Sequence, residues 1–357
     1  MPNISKQVPL EFFAAANGAD GFRSYFDDIF SSETFDEIFI LKGGPGTGKS
    51  TLLKELSHTF TRPGITAEIF YCSSDPKSLD GVLLSGHNKK VAILDGTAPH
   101  ERDARIPGAT DILVNLGDAF NKDALRKNKT KIVSLQKEKN AAYKDAYFYL
   151  RIFGIFLSKI EAEAKSRVKT CAVNEWIQKE ISPFLRSDIA ADISPRLIRS
   201  FSKEGVLRLD TFEKNAEVKF MFFGDHAEGG ILLKEIATHL SKMGCNFFYA
   251  PSPFADSLCD GIFLKNEKIS ITLAEKQTND TFDTSNFFSP ISKYSKQNIE
   301  SCLMECDRYC SLAKNALQCA SEKHFALERI YTPAMNFDLL NPLKDDLKMQ
   351  ISSLLEA

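Results

Sequence analysis

The chain has 357 residues, 43% hydrophobic and 26% charged, with a formal net charge of −2 at pH 7. That length exceeds what one hydrophobic core usually serves, so two domains are expected. The balance of 45 basic against 47 acidic residues gives no bulk attraction to nucleic acid or to an anionic membrane surface.

Residues 1–6, Met-Pro-Asn-Ile-Ser-Lys, show no basic stretch leading into an apolar core, so no secretory leader is read and a cytoplasmic setting is expected. Residues 35–41, Phe-Asp-Glu-Ile-Phe-Ile-Leu, form a short apolar run suited to a buried parallel strand. Gly43-Gly44-Pro45-Gly46-Thr47-Gly48-Lys49-Ser50-Thr51 follows at once and matches the phosphate-binding loop pattern G-x-x-x-x-G-K-[ST] without a break. Gly43, Gly46 and Gly48 free the backbone to aim several N–H groups at one anion. Lys49 offers an ammonium to the β- and γ-phosphates, and Ser50 a hydroxyl to Mg²⁺. Residues 52–58 carry leucines at helical spacing, so the loop opens a helix whose positive end faces the phosphates. Strand, glycine loop and helix are the context this motif needs.

Residues 89–95 form a second apolar strand, ending in Asp95, which is predicted to hold the same Mg²⁺ as Ser50. Gly96 follows it in place of a water-activating glutamate, so no general base is visible and fast hydrolysis is not implied. Asp75, Asp80, Thr97 and His100 fall on loops expected at the carboxyl ends of strands, where ligands gather in open α/β sheets. Asp75 is a candidate for orienting water or a substrate hydroxyl, and His100 for phosphate contact or proton transfer. Turn and cap formation is the competing account of the aspartates. Arg102 and Arg105 are further candidates for stabilising transferred phosphate charge.

From Asn121 to about Ile181 the chain turns helical, and residues 122–144 are rich in Lys and Arg, read as a solvated helix face ahead of a surface for an anionic partner. The apolar run 146–157 contains Arg151 and is too short for a bilayer, so it reads as a buried helix. A matching helical stretch runs from Ser292 to Tyr331, and the two are expected to pack as a bundle. Cys302, Cys306 and Cys310 share a face of it. Small core residues are the commoner explanation for them and a thiol cluster the rarer one. All eight cysteines are expected to be reduced.

The halves echo each other. Leu52-Leu53-Lys54-Glu55 recurs as Leu232-Leu233-Lys234-Glu235, and Asp80-Gly81 as Asp260-Gly261, both displaced by 180 residues. Lys90 to Ile93 parallels Lys268 to Ile271. The pattern predicts a tandem duplication with domains at 1–195 and 196–357. In the second copy Gly229 stands for Lys49, Gly230 for Ser50, Leu273 for Asp95, and Glu228 puts a carboxylate in the place of Gly48. A fold without a triphosphate site, serving as scaffold or lid, is expected there. Only about three clear strands are visible per half, so either weak strands escape this reading or the halves share one sheet.

Ile40 to Thr51, Cys72 to Gly81 and Ala92 to His100, with His324 to Tyr331 and Ala334 to Phe337, resemble an uncharacterised bacterial family of tandem P-loop ATPases, nucleotide-kinase-like. The resemblance spans most of the chain and implies ATP binding on an α/β P-loop NTPase fold, without a substrate. Some of its members keep a phosphate loop in both halves, and this chain departs from them at Asp225 to Ile231. The leading expectation is therefore a Mg²⁺-dependent ATPase using ATP, with Lys49, Asp95, Asp75 and His100 as the catalytic set. A small-molecule phosphotransferase and an ATP-gated interaction protein without turnover are the alternatives. A small-molecule acceptor or a protein is the expected partner beside the nucleotide, not a membrane or nucleic acid. No Asn/Thr-Lys-x-Asp signature for guanine is present, which favours ATP.

Overall fold

The computed structural model describes residues 8–185 and 192–356. The stretch behind the leader reading, residues 1–6, lies outside them. The chain opens with β1 (Leu10–Phe13), a hairpin of β2 (Ala15–Gly18) and β3 (Gly21–Ser24), and the short α1 (Phe26–Ile29). Then come β4 (Glu37–Lys42), α2 (Lys49–Phe60), β5 (Thr66–Tyr71), β6 (Leu79–Gly86), β7 (Lys89–Asp95) and β8 (Asp111–Asn115). Three helices follow: α3 (Lys122–Lys127), α4 (Lys129–Arg167) and α5 (Thr170–Trp176).

The second half runs β9 (Ile193–Pro195), hairpin β10 (Arg199–Ser202) and β11 (Gly205–Arg208), and α6 (Thr211–Asn215). It continues with β12 (Val218–Phe223), α7 (His226–Lys242), β13 (Phe247–Pro251), β14 (Cys259–Leu264), β15 (Ile269–Leu273) and β16 (Thr281–Asp283). It closes with α8 (Lys293–Tyr331) and α9 (Asn341–Glu356).

The result is an α/β protein of two sheet-and-helix domains. The first sheet has the order β1-β5-β6-β7-β4-β8 and the second β9-β13-β14-β15-β12-β16. The pairing sense also agrees strand for strand: β6 runs antiparallel to both neighbours, as does β14, and the remaining pairs are parallel. Each half thus has six strands in its own sheet, twice what the sequence made visible, and no sheet is shared. The missed strands are short or interrupted by polar residues and glycine, such as Asp80, Gly81, Ser85 and Gly86 within β6.

Side-chain alternation divides the core. In the first sheet Phe39, Leu41, Val82, Leu84, Val91 and Ile93 face α2 and α9. Their neighbours Ile38, Ile40, Leu83, Ala92 and Leu94 face a core shared with Ile198, Phe212, Phe248, Ala250 and Phe263 of the second half. Arg196 joins the halves there. Its guanidinium lies 4.8 Å from the Phe248 ring and 5.8 Å from those of Phe12 and Phe70, and it bonds Glu68 at 2.7 Å.

α4 and α8 have 39 residues each, about 58 Å of helix, and pack against each other. They carry the following helices across. α5, from the first half, places Val173 and Trp176 in the second half's core, followed there by Ile177, while α9, from the second half, sets Leu347, Ile351 and Leu355 on the first sheet. Lys348 and Glu356 of α9 bond Glu55 and Arg62 of the first half.

The run 146–157 is helical but half-buried. Ala146, Leu150 and Leu157 are enclosed, whereas Phe148 and Ile155 are 57% and 63% exposed. The basic residues of 122–144 lie on largely exposed turns of α3 and α4. All eight cysteines are free thiols, with Cys302 and Cys306 buried. Among the described residues no helix is long and apolar enough to cross a membrane.

Trp176 packs on Phe220, Phe222, Phe282 and Phe287 at centroid distances of 4.9–6.5 Å. Trp176→Ala is expected to destabilise the protein by about 3–5 kcal/mol, read as a lowered urea midpoint by far-UV circular dichroism. An unchanged midpoint would show that the exchanged helix contributes nothing to the second half.

Candidate functional site

The six residues between β4 and α2 build a loop with Gly46 at φ +69° and Gly48 at φ +84°. Both are left-handed conformations that a side chain disfavours. The turn leaves the first N–H groups of α2 with no side-chain cap. Lys49 Nζ curls back over the loop, donating to the carbonyls of Gly43 and Gly44 at 3.0 Å each, and lies 3.7 Å from Asp95 Oδ2. Thr47 Oγ1 donates to the Gly44 carbonyl at 2.9 Å. These bonds tether the ammonium to the backbone of the loop.

Asp95 ends β7, which pairs directly with β4 so that Leu41 and Asp95 are partners. The turn beyond it is fixed from two sides. Lys42 Nζ donates to the Gly96 carbonyl at 2.9 Å, and Thr97 donates to Asp95 Oδ1 from its backbone N–H at 2.9 Å and from Oγ1 at 2.6 Å. Ser50 Oγ accepts the Leu79 backbone N–H at 3.0 Å and keeps lone-pair capacity. Lys49 and Asp95 are thus side by side, with Ser50 the next residue along α2.

His100 and Asp80 join them, and ligand-capable atoms of Asp80, Asp95 and His100 all lie within 4.8 Å of one another. His100 stacks on Phe26 with centroids 4.6 Å apart and planes 4° apart, and its Nε2 is 3.9 Å from Asp80 Oδ1. Burial pushes the Asp80 carboxyl up to about 6, helped by the nearby Asp95 charge and opposed by His100. Cys72, half-buried beside Asp80, is raised well above the usual thiol range by desolvation. A cleft of about 270 Å³ opens next to the cluster, lined by Ser24, Phe26, Asp27, Pro99, His100 and Arg102 among others.

The other candidates have local partners. Asp75 accepts from the Lys77 N–H and from Ser78 Oγ, both at 3.2 Å, which makes it a turn former in its own loop. Arg102 donates to Ser32 Oγ at 3.0 Å and lies 3.7 Å from Asp111, while Arg105 bonds Asp27 at 2.6 Å.

Residues that sequence reasoning did not connect to the loop cover its outer side. Cβ positions built on Gly44 and Gly48 would lie 3.3 Å from Tyr331 and 3.5 Å from Phe337, and one on Gly46 would collide with Thr332. Phe120 and Tyr331 pair at 5.4 Å over Gly44. The end of α8 therefore rests on the glycine loop of the opposite half. The segments 324–331 and 334–337 of the family resemblance contain Tyr331 and Phe337, but nothing local to them indicates the glycine loop as their neighbour.

The second half differs at each point. Only two residues separate β12 from α7, so the turn corresponding to Gly46–Gly48 is wound into helix. Asp225 caps α7, its carboxylate accepting from the N–H groups of Ala227 and Glu228 at 2.9 and 3.1 Å. Glu228 was expected to face a phosphate position. It instead pairs with Arg167 at 2.6 Å, because the added turn of helix points it toward α4. The strand pairing places Leu273 opposite Phe222, where Asp95 stands opposite Leu41.

Compared with models of protein families, with curated proteins and with solved structures, the chain matches none.

Asp80 carries a testable pH dependence. Its folded pKa lies above the unfolded value, so the fold retains a proton that the unfolded chain has lost, and stability falls as pH rises from about 4 to about 6. Asp80→Asn is expected to stabilise the metal-free, nucleotide-free protein by about 3 kcal/mol above pH 6, the gain vanishing near pH 4. Urea unfolding across this range checks it, and a gain independent of pH would contradict it.

Proposed function

We propose that the chain is a Mg²⁺-dependent ATPase with one nucleotide site, built on a P-loop NTPase fold that has been duplicated in tandem. The duplication is supported by the common strand order and pairing sense of the two sheets. The observation that carries the functional reading is the contrast between two helix N-termini. That of α2 is uncapped, turned by two left-handed glycines and supplied with Lys49. That of α7 is already satisfied by Asp225. Uncapped N–H groups and a helix dipole favour an anion, and a triphosphate presents several charged oxygens to such a cradle.

On this reading the backbone of residues 43–51 wraps the phosphates, and Lys49 exchanges its carbonyl bonds for phosphate oxygens. Ser50 and Asp95 would hold Mg²⁺, and their oxygen donors suit a hard dication. The ion, when bound, neutralises charge developing on the transferred phosphoryl group. Tyr331, Thr332 and Phe337 rest on the same loop, so a change in its shape is felt at the end of α8. That supports coupling between nucleotide state and the α4–α8 pair. A cytoplasmic setting is part of the same proposal.

A small-molecule phosphotransferase is the second reading, favoured by the cleft of about 270 Å³ beside His100 as space for an acceptor. Phosphate release by purified protein separates the readings. Steady release without acceptor supports the ATPase, and transfer only in the presence of a metabolite pool supports the phosphotransferase. Tight retention of ATP with neither supports a nucleotide-gated interaction protein.

Lys49→Ala is expected to abolish ATP·Mg²⁺ binding, measured by equilibrium dialysis, while Asp225→Ala leaves it intact and costs α7 about 0.5–2 kcal/mol. Equal loss of binding from both would overturn the assignment of a single site. Gly229, facing Lys49 in the duplicated alignment, is unsuited to this comparison because a Cβ there collides with Leu273.

A further inference from the structure

We propose that Asp80, Asp95 and His100 form a binding site for a divalent transition-metal ion of the Mn²⁺ class, filled independently of nucleotide. Three positions of the first sheet's carboxyl edge converge to make it: the start of β6, the end of β7 and the loop beyond β7. Their ligand-capable atoms lie within 4.8 Å of one another. A metal bonded at about 2.1 Å to each at octahedral right angles sets ligand separations near 3.0 Å, so a contraction of the three ligand atoms completes the site.

His100 supplies the independent indication. The residue is 7% exposed, and neither ring nitrogen has a hydrogen-bond partner among the described residues. An imidazole buried without a partner is costly, and such groups in native proteins call for a ligand, an ion or ordered water. Stacking on Phe26 holds the ring with Nε2 toward Asp80.

The second half shows how the same fold balances this charge when no ion is needed. Asp260, counterpart of Asp80, is bonded by Arg199 at 3.2 Å, and the Asp95 position is Leu273. Arg199 opens β10 in its hairpin, and the matching position in the β2–β3 hairpin is Ala15. The first half therefore has two carboxylates and no guanidinium where the second has one of each. Lys49 lies 3.7 Å from Asp95. A dication supplies the missing charge, and the imidazole nitrogen favours Mn²⁺, Fe²⁺, Co²⁺ or Zn²⁺ over Mg²⁺.

Nucleotide-free protein titrated with Mn²⁺, read by electron paramagnetic resonance, tests the proposal. One tight site per chain is expected, with ¹⁴N modulation from imidazole in the pulsed spectrum. The site should persist in Lys49→Ala and Ser50→Ala, which probe the nucleotide reading separately. His100→Gln and Asp80→Asn should each weaken binding by at least about tenfold. Absence of Mn²⁺ binding without nucleotide, absence of the nitrogen signal, or undiminished binding in both variants would overturn it. Should His100→Gln fail to fold, Asp80→Asn and the nitrogen signal of the unaltered protein decide the matter.

Discussion

The unsatisfied N–H groups at the start of α2 are the constraint on which the functional account depends. A helix exposes its first four donors, and a chain normally covers one or two with a Ser, Thr, Asp or Asn side chain. Here glycine occupies the capping position at φ +84°, and no side chain takes the bonds. Lys49 meanwhile spends its donors on the loop's own carbonyls. On the proposed reading, a bound anion would take up both the helix donors and the ammonium. In α7 one aspartate removes the same demand.

Around that loop the two halves are tied in a way that gives the second half a stake in the site. α4 and α8 run alongside each other and deliver α5 and α9 to the opposite sheets. Each domain core is therefore completed by the other half of the chain. The Arg196 guanidinium among Phe12, Phe70 and Phe248 fastens the sheets at their shared core. The end of α8 lies on the glycine loop, which places the second half's longest helix one contact away from any change in that loop. The second half thus completes the first half's core through α9 and covers its glycine loop through the end of α8.

How much of this the sequence discloses depends on whether the signal is local. The loop at 43–51, the strand ending in Asp95 and the helix after Lys49 are local patterns, and each was legible. The alignment of Leu273 with Asp95 was legible too, because neighbouring apolar residues preserve the register. Strands such as Asp111–Asn115 and Leu79–Gly86 were not, since polar residues and glycine break their alternation. The exchange of α5 and α9 leaves no local trace. An amphipathic helix states that one face is buried and is silent on which sheet buries it. Asp80 illustrates a subtler loss. Its recurrence as Asp260 favours a structural role, yet the two aspartates differ in their surroundings, Arg199 for one and the Asp95 carboxylate with His100 for the other. The distinguishing substitution, Ala15 against Arg199, lies far away in sequence in both halves.

Calorimetric titration of the intact protein with ATP in the presence of Mg²⁺ tests the central claim most directly. One triphosphate bound per chain is predicted, with heat that disappears when the divalent ion is chelated. Well-folded protein that takes up neither ATP nor GTP would contradict the account of the glycine loop, and two equivalent sites would contradict the account of the second half.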